Sequence, residues 1–171
     1  MPDFTRLLAL DAAWTQRFRI AERPGLLRRL AIVFAHSGDS WFWGLGLGLV
    51  ILFGSPAWRY RALVLLLATG GLAVLVLAIK FSVRRSRPQG EWGAIYRKTD
   101  PHSFPSGHAA RAVMLAALAA GLGPGWFGAL LIAWAPLVVL ARVAMGVHYL
   151  SDVLAGALLG LLAGAAIWLA L

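Results

Sequence analysis

Residues 112–141 run thirty positions without a formally charged side chain. A stretch of that length must be buried on every side or lie in lipid, and the rest of the chain selects lipid. Hydrophobic residues make up 60% of the sequence, the mean hydropathy is +0.76, and only 13% of residues are charged, against about 25% in an ordinary soluble domain. Five apolar segments approach the roughly 20 residues that a helix needs to cross a bilayer. They are residues 40–58, residues 62–79, two halves of the uncharged run divided by Gly-Leu-Gly-Pro-Gly at 121–125, and residues 153–171. These features predict an all-α, polytopic transmembrane helix bundle of five spans.

The flanks support this reading. Asp39 or Ser40 is placed to cap the first span, and Trp41, Trp43 and Trp58 suit the membrane interface. Pro136 lies inside the fourth span, where neighbouring helices can satisfy the freed carbonyl. Residues 1–30 differ. Phe4, Leu7, Leu8, Trp14 and Phe18 share one helical face, with Arg6, Arg17 and Arg19 around it, which predicts an interfacial amphipathic helix. A sixth span is the alternative. The apolar run at 7–10 is too short for the hydrophobic region of a cleavable leader. The chain reads as one 171-residue membrane domain, its motif-bearing core spanning residues 62–171. Glycines recurring every four residues, at 156, 160 and 164 and at 44 and 48, are expected to allow close helix packing.

A net charge of +9 on a soluble domain would suggest nucleic acid. Here the cations lie between apolar runs, so anionic lipid headgroups or a phosphorylated substrate fit better and no nucleic-acid partner is expected. Cysteine is absent, which excludes disulfides, thiolate ligands and a thiol nucleophile.

Threading the spans antiparallel gathers the chemistry. The second ends at Lys80, the third starts near Pro105, the fourth ends near Arg142 and the fifth starts after His148. All four ends fall on one side of the membrane, with Arg84, Arg85, Arg87, His108, Arg111 and Asp152, while the opposite loops hold only Arg59 and Arg61. Ionisable groups at membrane depth are costly and mark function. His148 and Asp152 are four residues apart, so on a helix they would share a face. Asp152 would then fix the tautomer of His148 and leave a lone pair for attack. His108, from another helix, could protonate a leaving oxygen. Ser106 and Gly107, after Pro105, offer N–H groups at a helix start to an anion. With Lys80, Arg87 and Arg142 supplying positive charge, phosphate fits best.

Arg84 and Arg85 read as snorkelling residues at lipid headgroups. Arg111 either lines the site or pairs with a neighbour, and His36 and His102 read as loop residues. Two histidines and an aspartate could ligate zinc, but the cations already fill that role, so no metal and no other cofactor is expected.

Three segments now resemble the signature of the type-2 phosphatidic acid phosphatase family, the membrane relatives of the vanadium-dependent haloperoxidases. Residues 80–88, KFSVRRSRP, resemble Lys-x6-Arg-Pro; residues 105–108 are PSGH; residues 141–152, ARVAMGVHYLSD, resemble Ser-Arg-x5-His-x3-Asp with Ala141 in place of the serine. The resemblance implies that His148 is the nucleophile, forming a phosphohistidine, and that Asp152 orients it. His108 would protonate the leaving group and then activate water. Lys80, Arg87 and Arg142 would hold the phosphoryl oxygens, with Ser106 and Gly107 completing the cradle. Ala141 removes one hydrogen bond to phosphate. The family core has six spans where five are read here.

The expected function is therefore metal-independent hydrolysis of a lipid phosphate or diphosphate: a polyprenyl diphosphate, phosphatidic acid, phosphatidylglycerophosphate or a lipid A phosphate. Residues 89–104, with Glu91, Trp92, Tyr96 and Arg97, are long for a connector and could cover a headgroup. A carrier of lipids or anions with a vestigial site is the alternative; a haloperoxidase would be soluble. The resemblance implies a bacterial inner-membrane protein whose site faces away from the cytoplasm. If the N-terminal helix does not cross, the arginines at 6, 17, 19, 23, 28 and 29 share the active-site side, and the positive-inside rule opposes that orientation.

Overall fold

The computed structural model describes residues 4–90, 92 and 94–171, without the side chains of Phe4, Ile95, Tyr96 and Arg97. Its helices are α1 (Phe4–Phe18), α2 (Leu26–Ser37), α3 (Ser40–Phe53), α4 (Pro56–Val83), α5 (Ala94–Thr99), α6 (Gly107–Leu122), α7 (Gly125–Ala144) and α8 (Leu150–Ala170). The chain is a polytopic helix bundle. Helices α4, α7 and α8, of 28, 20 and 21 residues, are long and apolar enough to cross a membrane, while α3 and α6 are shorter apolar helices. The expected first span stops early because the chain turns at Gly54 and Ser55, and Pro56 opens α4 at a position that tolerates proline. Trp58 therefore belongs to α4, packed on Trp126 and Phe127.

The N-terminal region also differs from expectation. Residues 19–25 break it, so α1 is followed by a second amphipathic helix, α2. Both dock at the end of the bundle where α8 begins. Thr15 Oγ1 and Asp11 Oδ1 accept from the backbone N–H groups of Leu150 and Ser151, at 2.9 and 3.0 Å. These are the orphan donors of the first turn of α8, here capped by another helix. Helix α2 lays Ala31 and Ala35 against Ala141 and Met145 of the α7 end.

Helix α6 is the hub. Ala109, Ala110, Met114, Leu115 and Leu118 are buried on different sides of it, between α4, α7 and α8. Close approach explains this on the α8 side. A Cβ added to Gly156 would lie 2.4 Å from the Ser106 carbonyl oxygen, and one on Gly160 would lie 2.0 Å from that of Ala110. The glycines of α3 have no such role: nothing comes within 4 Å of a Cβ built on Gly44 or Gly48. Outward, Leu67, Val74, Leu154, Leu158 and Leu162 are exposed, as suits side chains facing lipid.

The connection from α4 to α6 is pinned at both ends. Ser86 and His102 form an isolated antiparallel bridge, and Ser103 N–H donates to the Arg85 carbonyl at 2.8 Å. Glu91 and the Tyr96 and Arg97 side chains, read above as a headgroup cover, lie outside the described residues.

Candidate active site

Each polar group arrives at the site from a helix end. Lys80 comes from the last turn of α4 and Arg142 from the last turn of α7. Arg87 follows α4, His108 and Arg111 sit in the first turns of α6, and His148 precedes α8. These six side chains line one cavity of about 220 Å³, together with Gly107, Ser40 and Asp100. Lys80, Arg87, Arg142 and His148 are almost fully buried.

Three expected cations, Lys80, Arg87 and Arg142, thus gather with both histidines and Gly107, while Ser106 and Asp152 stand behind them. Ser106 is the N-cap of α6, its hydroxyl accepting from Ala109 N–H at 3.4 Å, and its own N–H donates to the Asp152 carbonyl at 2.9 Å. Asp152 Oδ2 lies 3.6 Å from His148 Nδ1. The pair does not share a helical face, because His148 lies in the turn before α8. Asp152 is brought back to that turn by its own capping bond, in which Tyr149 N–H donates to Oδ2 at 2.9 Å. Ala141 is not among the cavity-lining residues. Its methyl packs in the small cluster beneath α2.

Arg85 corrects the snorkelling expectation. Its guanidinium donates to Asp152 Oδ1 at 2.7 Å, to Ser151 Oγ at 2.6 Å and to Asp11 Oδ2 at 2.6 Å. It also lies 4.0 Å from the centre of the Tyr149 ring. Arg84 does remain on the exposed rim. Arg111 has both expected roles, lining the cavity while donating to the Gly38 carbonyl and to Ser40 Oγ.

Two carboxylates were missed. Asp100 bridges the cations, its Oδ2 accepting from Lys80 Nζ and from Arg87 Nη2. Asp39 Oδ1 accepts from His108 Nε2 at 2.6 Å, and Oδ2 pairs with Nδ1 of His36 at 3.2 Å. His36 is therefore a helix-end residue with a partner, not an isolated loop histidine. His102 stands apart, edge-on to Phe81.

Electrostatics follow from this burial. Loss of solvent, then the charges of Arg87, Arg142 and Lys80, hold the His148 imidazole well below the usual histidine range. Burial and these cations thus favour the neutral ring over the imidazolium.

The cavity lining also extends along α4. Thr69, Leu72, Ala73, Val76 and Leu77 of α4 continue the lining away from Lys80. At 1.5 Å per residue, Thr69 lies roughly 16 Å along the helix from Lys80.

The profile of the PAP2 superfamily matches residues 59–171, which carry all three motifs. The chain belongs to the PAP2 superfamily. Among similar proteins is the decaprenylphosphoryl-5-phosphoribose phosphatase of Mycobacterium tuberculosis, 35% identical over 150 residues covering 85% of this chain and 81% of the relative. Two solved structures share the architecture, the first of them PAP2-type. The transmembrane phosphatidylglycerolphosphate phosphatase of Bacillus subtilis superposes with a TM-score of 0.74 at 26% identity, over 95% of this chain and 84% of its own. LpxE of Aquifex aeolicus gives 0.72 at 28% identity, over 92% of this chain and 94% of its own. The PAP2 profile begins after Asp11, Asp39 and Ser40, so the parts of this site supplied by α1 and the α2–α3 turn lie outside the matched residues.

Proposed function

We propose that this membrane protein hydrolyses the phosphate ester or diphosphate of a long-chain lipid through a phosphohistidine. The observation that carries the reading is the continuity of the cavity. A cationic end bearing two histidines runs without a break into an apolar groove along α4, about half the depth of the hydrocarbon core. A phosphate at one end would leave its lipid chain in the other.

In this reading Nε2 of His148 attacks the terminal phosphorus in line and its P–O bond to the lipid alcohol, or to the lipid phosphate of a diphosphate, breaks. The leaving oxygen takes a proton from His108. Water then gives a proton back to His108 and attacks phosphorus, and the N–P bond breaks. Lys80, Arg87, Arg111 and Arg142 face the cavity and balance the charge on the equatorial oxygens. That is the work a divalent ion would otherwise do. Similarity to the mycobacterial phosphatase makes a polyprenyl-linked sugar phosphate the first substrate to test, beside phosphatidylglycerophosphate, phosphatidic acid and a polyprenyl diphosphate.

Purified protein should release phosphate from at least one of these in excess chelator and be inhibited by vanadate, which can adopt the geometry of the transferring phosphoryl. A water-soluble phosphate ester without a chain should be much poorer. Loss of activity with chelator, restored by a divalent metal, would overturn the metal-independent mechanism. In this reading the site faces the outer side of the inner membrane, an orientation that the family resemblance supports. Single cysteines at Lys98 and Ser55 then report opposite faces. Labelling at Ser55 alone by an impermeant thiol reagent in intact cells reverses the orientation.

A further inference from the structure

The turn joining α2 to α3 grips the start of α6 with successive residues. Gly38 offers its carbonyl to Arg111, Asp39 its carboxylate to His108, and Ser40 its hydroxyl to Arg111. Trp134 Nε1 donates to Ser37 Oγ at 2.9 Å and ties the same turn to α7. Asp39 occupies the N-cap position of α3, yet its side chain makes no capping bond. Both carboxylate oxygens point instead to imidazoles.

We propose that Asp39 is a positioning residue for His108, holding the proton on Nε2 so that Nδ1 is the atom that exchanges protons with substrate and water. This rests on the phosphatase reading above. An ionised carboxylate only accepts hydrogen bonds, so at 2.6 Å from Oδ1 the Nε2 atom of His108 is the donor. Nε2 is the one nitrogen of this ring with a hydrogen-bond partner among the described residues. Burial pushes the Asp39 carboxyl up, but the bonds to His108 and His36 outweigh it and hold it below the usual carboxylate range. Gly38 lets the turn pass close to the ring: a Cβ there would lie 3.2 Å from His108 Cδ2 and 3.0 Å from Val138 Cγ1. The ring is thus held at Nε2 by Asp39. The two histidines have parallel arrangements, Asp152 behind one and Asp39 behind the other, but Asp39 lies 69 residues before its partner.

The test compares two leaving groups, using kcat/KM, which reports steps up to phosphoryl transfer. A lipid alkyl phosphate needs a proton on its leaving oxygen; p-nitrophenyl phosphate does not. Asp39→Asn should lose roughly tenfold to a hundredfold on the lipid phosphate and stay within about twofold of wild type on the aryl ester. Asp39→Glu should recover part of the loss. Asp39→Ser carries the same comparison if the asparagine variant does not elute as a monodisperse species. Equal losses on both substrates would make Asp39 merely structural and overturn the proposal, as would a wild-type rate on both. If His148→Ala is inactive while Asp39→Asn is unimpaired, the Asp39 role fails and the phosphatase reading stands. Absence of phosphate release by the wild type overturns both.

Discussion

Nε2 of His148 lies 3.1 Å from Nη1 of Arg87. A guanidinium has donors and no acceptor, so Nε2 must present its lone pair and the ring proton must sit on Nδ1, toward Asp152. One contact with Arg87 therefore selects the tautomer that leaves Nε2 with the lone pair that the proposed attack requires. In the proposed reaction, substrate that draws Arg87 onto its oxygens would free that lone pair for phosphorus.

Replacing His148 by alanine should abolish phosphate release without loss of the folded state. Asp152→Asn should retain traces, since the ring keeps its place but loses the carboxylate that stabilises its Nδ1–H. His108→Ala should lose about 10²–10⁴-fold. Phosphate release with purified variants checks all three, and a folded His148→Ala enzyme at near wild-type rate would rule out the phosphohistidine.

Acid sensitivity has a definite sign. Burial and the adjoining cations disfavour the His148 imidazolium, so the folded protein binds that proton well below the ordinary value of 6.5. As pH falls through that value the unfolded chain takes up the proton and the folded chain does not. Stability present above it is therefore lost as pH falls further, toward the folded value. Thermal unfolding in detergent should show wild type losing more than His148→Gln between about pH 7 and pH 5. The nucleophile's limb of kcat/KM should likewise lie below the ordinary histidine range. A limb above it would mean that the imidazolium is favoured in the site.

Arg85 should matter although it touches no part of the cavity. Its removal leaves Asp152, which is wholly buried, without its charged partner. Arg85→Met should cost roughly 1.5–3 kcal/mol of stability and lower kcat more than it raises KM. Asp11→Asn weakens the same chain from its far end, so the double variant should be less damaged than the sum of the singles by more than about 0.5 kcal/mol. Additive losses in chemical denaturation would show that α1 and Asp152 are not coupled.

Two glycine substitutions should separate packing from helix propensity. Gly160→Ala puts a methyl against the Ala110 backbone and should destabilise the protein by about 1–3 kcal/mol. Gly48→Ala meets open space and should lie within about 0.5 kcal/mol of wild type. Melting temperatures of the two variants, measured side by side, decide this; similar losses in both would remove the distinction.

Much of the bundle was legible because lipid imposes a one-dimensional rule. Long apolar runs broken by Gly-Pro turns mark helices, and antiparallel order then puts Lys80, His108, Arg142 and His148 at one end. The motif spacings follow from that geometry. Short-range pattern misled where a residue's local reading was plausible and wrong. Asp39 looked like a helix cap, Arg85 like a headgroup ligand, and His148 and Asp152 like two residues on one helical face. Their actual partners are His108 at a separation of 69 residues, and Asp152 and Asp11 at 67 and 74; His148 meets Asp152 across a turn. An ion pair between distant segments leaves no periodicity in either one, because its geometry exists only once α1 and the α2–α3 turn have packed against the helix ends. The sequence by itself determined that Lys80, Arg87, His108, Arg142 and His148 meet at one end of the bundle, with Asp152 beside His148. Only tertiary packing decided that Asp39 stands behind His108 and that Asp100 bridges Lys80 and Arg87, since burial away from water is what makes those particular pairings favourable.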